Sequence, residues 1–239
     1  MTTVILYIIR HGDPIYDPDS LTPKGHRQAE AVGRRLSNVG ISKIYSSPMI
    51  RAQQTAKPLA EMMHLDINIE EWASEDTAYR EMSMDYHGQI CWYWRLPVEE
   101  YVNDSTVKDH DNWYDMPSLE GHGESIKKGM ERILACSDEF IARHGYRREG
   151  TLYRIENPND DRIAMFCHEG FSKAWVAQLL GIAPHVFAAS FDVTHSGIII
   201  IEFPNNENGI TRPRCLAWSD TSHIYEERLP MTFMNGFYI

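Results

Sequence analysis

No stretch of this 239-residue chain approaches the roughly 20 consecutive apolar residues that a membrane-spanning helix requires. The apolar start, Val4 to Ile9, is also too short for a signal peptide and lacks a basic lead. The expected compartment is therefore the cytoplasm, with no membrane partner. Cysteine is equally sparse: Cys91, Cys136, Cys167 and Cys215 are scattered and form no CxxC pair, so neither a disulfide framework nor a zinc site is indicated. Positive charge is short as well, with 23 Lys and Arg against 34 Asp and Glu and a net charge of −11. That balance disfavours nucleic acid and anionic membrane surfaces as partners. There is no internal repeat and no low-complexity stretch.

What the chain does contain is an alternation of strand and helix signals. Val4 to Ile9 is a short apolar run closed by Gly12, which predicts a buried strand. Leu21-Thr22-Pro23-Lys24-Gly25 opens a helix with Ala29, Val32, Gly33 and Leu36 at helical spacing. Ile41 to Tyr45 predicts a second strand, Pro48 to Met63 a second helix whose middle Pro58 leaves open, and Ile67 to Glu70 a third strand. After the break described below come a helix from Glu124 to about His144, strands at 152–155 and 162–167, a helix at 171–180, and closing strands at 196–203 and 211–218. The pattern predicts an α/β fold with a mostly parallel central sheet between helical layers, α/β/α. One domain over 1–239 is expected.

Between Trp72 and Gly123 the periodicity stops, and this segment holds nine of the Trp and Tyr residues. From Trp72 to Glu124, twelve Asp and Glu stand against three Lys and Arg. A stretch that long and that aromatic reads as a partly helical insertion lying over a pocket, as a lid or a surface for a second copy of the chain. His110-Asp111 within it has the look of half a metal site, yet no matching ligand set accompanies it, and no metal is expected.

Arg10-His11-Gly12 stands where the first strand gives way to a loop, and in open α/β sheets ligands bind at that edge. An imidazole beside a guanidinium there suits attack on phosphorus, the Arg holding the phosphate and the His accepting it. Alone, the tripeptide has little weight. Leu21 to Ala29, Ser46-Ser47-Pro48-Met49-Ile50-Arg51-Ala52, Gly123-Glu124-Ser125 and Cys167-His168-Glu169-Gly170 follow it in an order and spacing that resembles the histidine phosphatase superfamily, and more narrowly its phosphoglycerate-mutase-like branch, branch 1.

The resemblance implies a phosphate pocket of Arg10, His11, Arg51 and His168, with His11 the nucleophile and Gly12 the small turn that lets phosphate approach. It also implies a carboxylic acid after the third strand to protonate the departing oxygen. Glu70 and Glu71 both stand there, and Glu71 is favoured because adjacent Trp72 would raise its pKa. Two departures add negative charge: Asp13-Pro14 follows the nucleophile, and Glu169 follows the second histidine. Either they impair the binding of polyanions or they select a substrate whose leaving group is neutral or cationic, or Asp13 merely caps a turn and never sees substrate. The resemblance lets Glu124 approach the pocket, and His195 is a candidate for its rim or for simple packing. The implied activity is metal-independent hydrolysis of a small phosphorylated metabolite, with no cofactor. A phosphoglycerate mutase is the alternative, although the loop after Gly12 lacks the mutase's substrate-binding pattern, and a non-catalytic phosphate or phosphoprotein binder is a third reading.

Overall fold

The computed structural model describes residues 3–101, 103, 105, 109 and 111–233. His110 lies outside them, as do parts of the acidic segment at 102, 104 and 106–108. The strand Thr3–Arg10 lies inside a six-stranded sheet and alternates between two cores. Val4, Leu6 and Ile8 point into one hydrophobic cluster, while Ile5, Tyr7 and Ile9 point into the other. Burial on both faces explains the unbroken apolar run, which a sheet with one wet face would have interrupted.

Across the sheet the strands run Arg214–Asp220, Ile198–Pro204, Thr3–Arg10, Arg162–Cys167, Lys43–Ser46 and Ile67–Ile69. The last four are mutually parallel; Ile198–Pro204 runs antiparallel to both its neighbours, so Arg214–Asp220 at the edge points the same way as the four. Helices α1 (Pro23–Ser37) and α2 (Ile50–Met63) cover the face of Ile5 and Ile9. The other face carries α3 (Glu75–Met82), the long helix Gly123–Arg143 and the helix Glu169–Leu180. The fold is thus three-layered α/β/α around a mostly parallel sheet.

Local chemistry starts these helices where the sequence places them. Thr22 caps α1 by accepting the Gly25 N–H at 3.0 Å, with Pro23 at the first helical position. Pro58 leaves α2 intact. A Cβ on Gly33 of α1 would sit 3.1 Å from Pro58 Cβ, so the glycine lets the two helices pack at the proline.

Three expectations are corrected. Residues 211–218 do not form one strand: Pro213, which has no N–H to donate, separates Ile210–Thr211 from Arg214–Asp220. Ile210–Thr211 instead pairs with Leu152–Ile155, which also leaves the central sheet and joins Tyr146–Glu149 in a three-stranded sheet of its own. The loop after Gly12 contains a small hairpin, Pro14–Tyr16 against Asp19–Leu21.

The aromatic segment contributes a hairpin, Ser83–Tyr86 with Gln89–Trp92, as well as α3 and short 3-10 turns. Tyr93 and Trp113 are fully buried and belong to the same cluster as Leu6 and Ile8, so the segment is built into the core. Among the described residues, no helix is long and apolar enough to cross a membrane.

Candidate active site

Parallel pairing brings the two histidines together. Arg10 stands opposite Cys167 in adjacent strands, so His11 and His168 leave the same sheet edge side by side, their ring centroids 5.2 Å apart. The His11 N–H donates to the Cys167 carbonyl at 2.9 Å and fixes this arrangement. His11 Nδ1 lies 2.7 Å from the Gly12 carbonyl, which can only accept, so Nδ1 carries the proton and Nε2 keeps its lone pair. Burial holds the His11 pKa well below 6.5, reinforced by His168, Arg10 and Arg51. The ring is therefore neutral, with a free lone pair on Nε2.

His168 has the complementary tautomer. Its Nε2 lies 2.8 Å from Ser47 Oγ, which accepts the Met49 N–H at 3.3 Å and whose own proton has no other acceptor among the described residues. The hydroxyl proton then goes to Nε2, which leaves the proton on Nδ1, a buried atom with no hydrogen-bond partner among the described residues. Burial, Arg51 and Arg10 keep this ring neutral too.

Both arginines are buried, at 2% and 4% exposure, and both meet carboxylates. Arg51 Nη1 lies 2.8 Å from Asp19 Oδ1, while its Nε has no partner among the described residues. Arg10 donates to the Val193 carbonyl and lies 3.4 Å from Glu169 Oε2. Thr55 ties the elements together, since its Oγ1 accepts the Gly12 N–H at 3.0 Å and donates to the Arg51 carbonyl at 2.7 Å.

A cavity of about 430 Å³ opens over this constellation, lined by Arg10, His11 and Arg51 below and by Glu75, Asp76, Tyr79 and Trp92 of the aromatic segment above. Tyr16, Asp19, Met49 and Glu169 complete its wall. Glu75 occupies the place expected of Glu71. Its pKa is raised to about 7, chiefly by burial, with the negative Glu169 adding to the effect and the Phe171 and Gly170 N–H groups opposing it. Glu71 itself is exposed at the start of a 3-10 turn and does not line the cavity. Glu70 is buried but engaged elsewhere, accepting from Trp72 Nε1 at 2.7 Å and Arg143 at 2.6 Å. The strand ends at Ile69 and the chain turns sharply at Glu71–Ala73, which swings the next helix over the pocket. Ser74 followed by Glu75-Asp76 was the available signal, a helix start with acids in its first turn.

The remaining candidates divide. Glu169 lines the cavity, and although burial opposes ionisation, Arg10 and Lys173 hold its pKa down to about 2. Asp13 does not line the cavity: its carboxylate accepts from Thr22 Oγ1 at 2.7 Å, pairs with Lys24 at 2.8 Å and lies 3.3 Å from His195 Nδ1. His195 lies with its ring centroid 5.8 Å from that of His11, kept neutral by burial and Arg10 at a pKa of about 3. Glu124 is exposed, pairs with Lys128 and stays away from the pocket. Gly12 is small for a different reason than expected: a Cβ there would stand 2.7 Å from the Gly25 carbonyl oxygen, so the close approach is to α1. Among the described residues no three His, Cys, Asp or Glu side chains are grouped to hold a metal ion.

A family model described as histidine phosphatase superfamily (branch 1) matches residues 6–215. A probable phosphoglycerate mutase of Salmonella arizonae is 24% identical over 226 residues, covering 78% of this chain and 97% of that protein. Among solved structures, phosphoserine phosphatase of Entamoeba histolytica, determined with 3-phosphoglyceric acid, superposes with a TM-score of 0.60 at 19% identity, covering 92% of this chain and 99% of that one. A mycobacterial glucosyl-3-phosphoglycerate phosphatase gives 0.60 at 18% identity over 92% of this chain and all of its own. At such identities the structures share the fold.

Proposed function

The chain belongs to branch 1 of the histidine phosphatase superfamily, and on that premise we propose that it hydrolyses small phosphomonoesters through a phosphohistidine on His11, without a metal ion. The observation that carries this reading is Glu75, a carboxyl group with a pKa raised to about 7 in the cavity that His11 lines. A group half-protonated at neutral pH can give a proton in one step and take one in the next.

The lone pair on His11 Nε2 attacks phosphorus while the bond to the ester oxygen breaks. Arg10, Arg51 and the Nδ1–H of His168 hold the equatorial oxygens as charge redistributes. Protonated Glu75 gives its proton to the departing alkoxide, and the alcohol leaves. As a carboxylate, Glu75 then removes a proton from the water that attacks the phosphohistidine. Inorganic phosphate departs, and His11 and Glu75 return to their starting states.

A mutase would share the first step but must hold a phosphorylated sugar acid. Once Arg10 and Arg51 engage phosphate, the charged lining residues that remain among the described residues are the acidic Asp19, Glu75, Asp76 and Glu169, and the nearby Lys173 and Arg95 are turned to Glu169. Hydrolysis fits that wall better. The test compares wild type with His11→Ala on p-nitrophenyl phosphate and on 3-phosphoglycerate, with and without chelator. Chelator-resistant release of phosphate that vanishes in the variant is the expected result. Rapid interconversion of phosphoglycerates would establish the mutase, and failure to form an acid-labile phosphoenzyme from any donor would leave only phosphate binding.

A further inference from the structure

We infer that the physiological substrate is the phosphate ester of a small cationic alcohol, an alkylammonium compound, whose positive charge is received by Asp76 and Asp19 between aromatic faces. This inference rests on the hydrolytic reading above and concerns the part of the substrate that leaves.

The cavity has two chemically distinct linings. At its floor, Arg10, Arg51 and His11 match a phosphate. Its wall also carries Tyr16, Asp19, Asp76, Tyr79 and Trp92, with Asp19 and the Tyr16 ring next to Arg51 at 2.8 and 5.4 Å and Asp76, Tyr79 and Trp92 on the aromatic segment. Asp76 and Tyr79 lie three residues apart in α3, which places them on one helix face next to Glu75. Tyr79 donates its hydroxyl to the Ile90 carbonyl at 2.9 Å and sets its ring edge to face against Trp92, centroids 5.0 Å apart. Trp92 is held in turn by stacking on Trp94 and by Gly170, where any Cβ would collide with the indole. These rings are therefore fixed surfaces with π faces, the geometry that favours an alkylammonium group.

The charges agree. Asp76 is exposed at the cavity and has no ion-pair partner among the described residues. Asp19 holds Arg51 at 2.8 Å, so a phosphate that engages Arg51 frees part of that carboxylate toward the cavity. Glu169 is already neutralised by Arg10 and by Lys173, whose Nζ lies 2.8 Å away, while Arg95 approaches it at 3.9 Å from a neighbouring small cavity. An anionic leaving group would meet Asp76 and Asp19, of which Asp76 has no paired cation among the described residues and Asp19 is paired with Arg51. A cationic one would meet both, with aromatic walls that cost it little hydration on the open side.

The experiment measures kcat/KM for phosphocholine, O-phosphoethanolamine, n-propyl phosphate and phosphoglycolate, a series that runs from cation through neutral to anion at similar size. The cationic esters are expected to exceed phosphoglycolate by about tenfold or more, and Asp76→Lys to reverse that order. Equal or better turnover of phosphoglycolate, or an order that Asp76→Lys leaves unmoved, overturns the inference. p-Nitrophenyl phosphate separates the two readings, because failure to cleave it at all counts against hydrolysis and not against the charge preference. In that event calorimetric binding of the same four esters to His11→Ala decides: tighter binding of the cations supports the inference, and equal or tighter binding of phosphoglycolate overturns it.

Discussion

Glu75 is anchored to the amide of Phe171, its Oε2 3.0 Å from that nitrogen, while its Oε1 takes the Gly170 N–H at 3.2 Å. The acid is thus fastened to the first turn of the helix that begins just after His168. Helix Glu169–Leu180 positions both the second histidine and the proton donor, although the donor comes from a segment nearly a hundred residues earlier.

Replacing Glu75 with Gln keeps one of these two contacts, since the amide NH2 cannot accept the other N–H, and removes the proton. Turnover of alkyl phosphates should fall by about 10²–10⁴-fold. With p-nitrophenyl phosphate, whose leaving group needs no acid, the first step should survive and phosphohistidine should accumulate as a burst. Glu71→Gln, on an exposed residue away from the cavity, should stay within about twofold of wild type, since surface changes are usually mild. Stopped-flow and steady-state kinetics on both esters read these outcomes.

The pH dependence follows from the same residue. His11 is neutral well below pH 6.5, so the nucleophile is ready throughout the mildly acidic range, and kcat for an alkyl phosphate should decline as pH rises through about 7. Stability moves with it. The Glu75 pKa is raised on folding, so its contribution is complete below the ordinary carboxyl value of 4.5 and is lost as pH climbs to about 7. Relative to wild type, Glu75→Gln should therefore gain about 2 kcal/mol of stability between pH 4 and pH 8, discounted for the carboxylate's access to the cavity. Urea denaturation at pH 4 and pH 8 checks the sign, and an advantage that does not grow with pH contradicts it.

Asp19 competes with the phosphate for Arg51. Asp19→Asn retains an acceptor for the Ile50 N–H, which Oδ2 receives at 2.7 Å, but removes the charge. Inhibition by inorganic phosphate or vanadate should tighten by about three- to tenfold, the scale of a partly exposed ion pair. Unchanged inhibition constants would mean that the pair opens at no cost.

Gly12 and Gly25 are packed backbone to backbone. Gly12→Ala places a methyl group 2.7 Å from the Gly25 carbonyl oxygen, and Gly25→Ala drives one into the Asp13 carbonyl. Each should destabilise by about 1–3 kcal/mol, as overpacking does. Because Gly12 also carries the carbonyl that sets the His11 tautomer, activity should drop more than the folded fraction explains. Thermal melts alongside kcat separate the two effects.

Much of this was legible from residue pattern. The apolar run at Val4 to Ile9, the cap at Thr22 and the motif residues Arg10, His11, Arg51 and His168 lie where periodicity and spacing put them, because strands and helix starts are local decisions. Glu75 was not legible as the acid. Its placement depends on a turn at Glu71–Ala73 and on docking beneath Phe171, a contact across 96 residues that no window sees. The split at Pro213 and the separate small sheet are likewise tertiary choices, in which Leu152–Ile155 found a partner at Ile210 instead of the central sheet.

The opposition of Arg10 and Cys167 in neighbouring parallel strands has a bearing on how such a protein can diversify. One residue added to either strand would carry its histidine about 3.3 Å along the sheet and turn it to the other face. The reacting centre is therefore indivisible, accepted or lost whole. The roof above it is joined through α3, which carries Glu75, and through the hairpin Ser83–Tyr86 with Gln89–Trp92, whose chemistry can be exchanged while the floor stays in register. A chimera that keeps Arg10 to His11, Cys167 to His168 and α3 with Glu75, and replaces the hairpin, should change which alcohol leaves, and leave the phosphorus chemistry where it was.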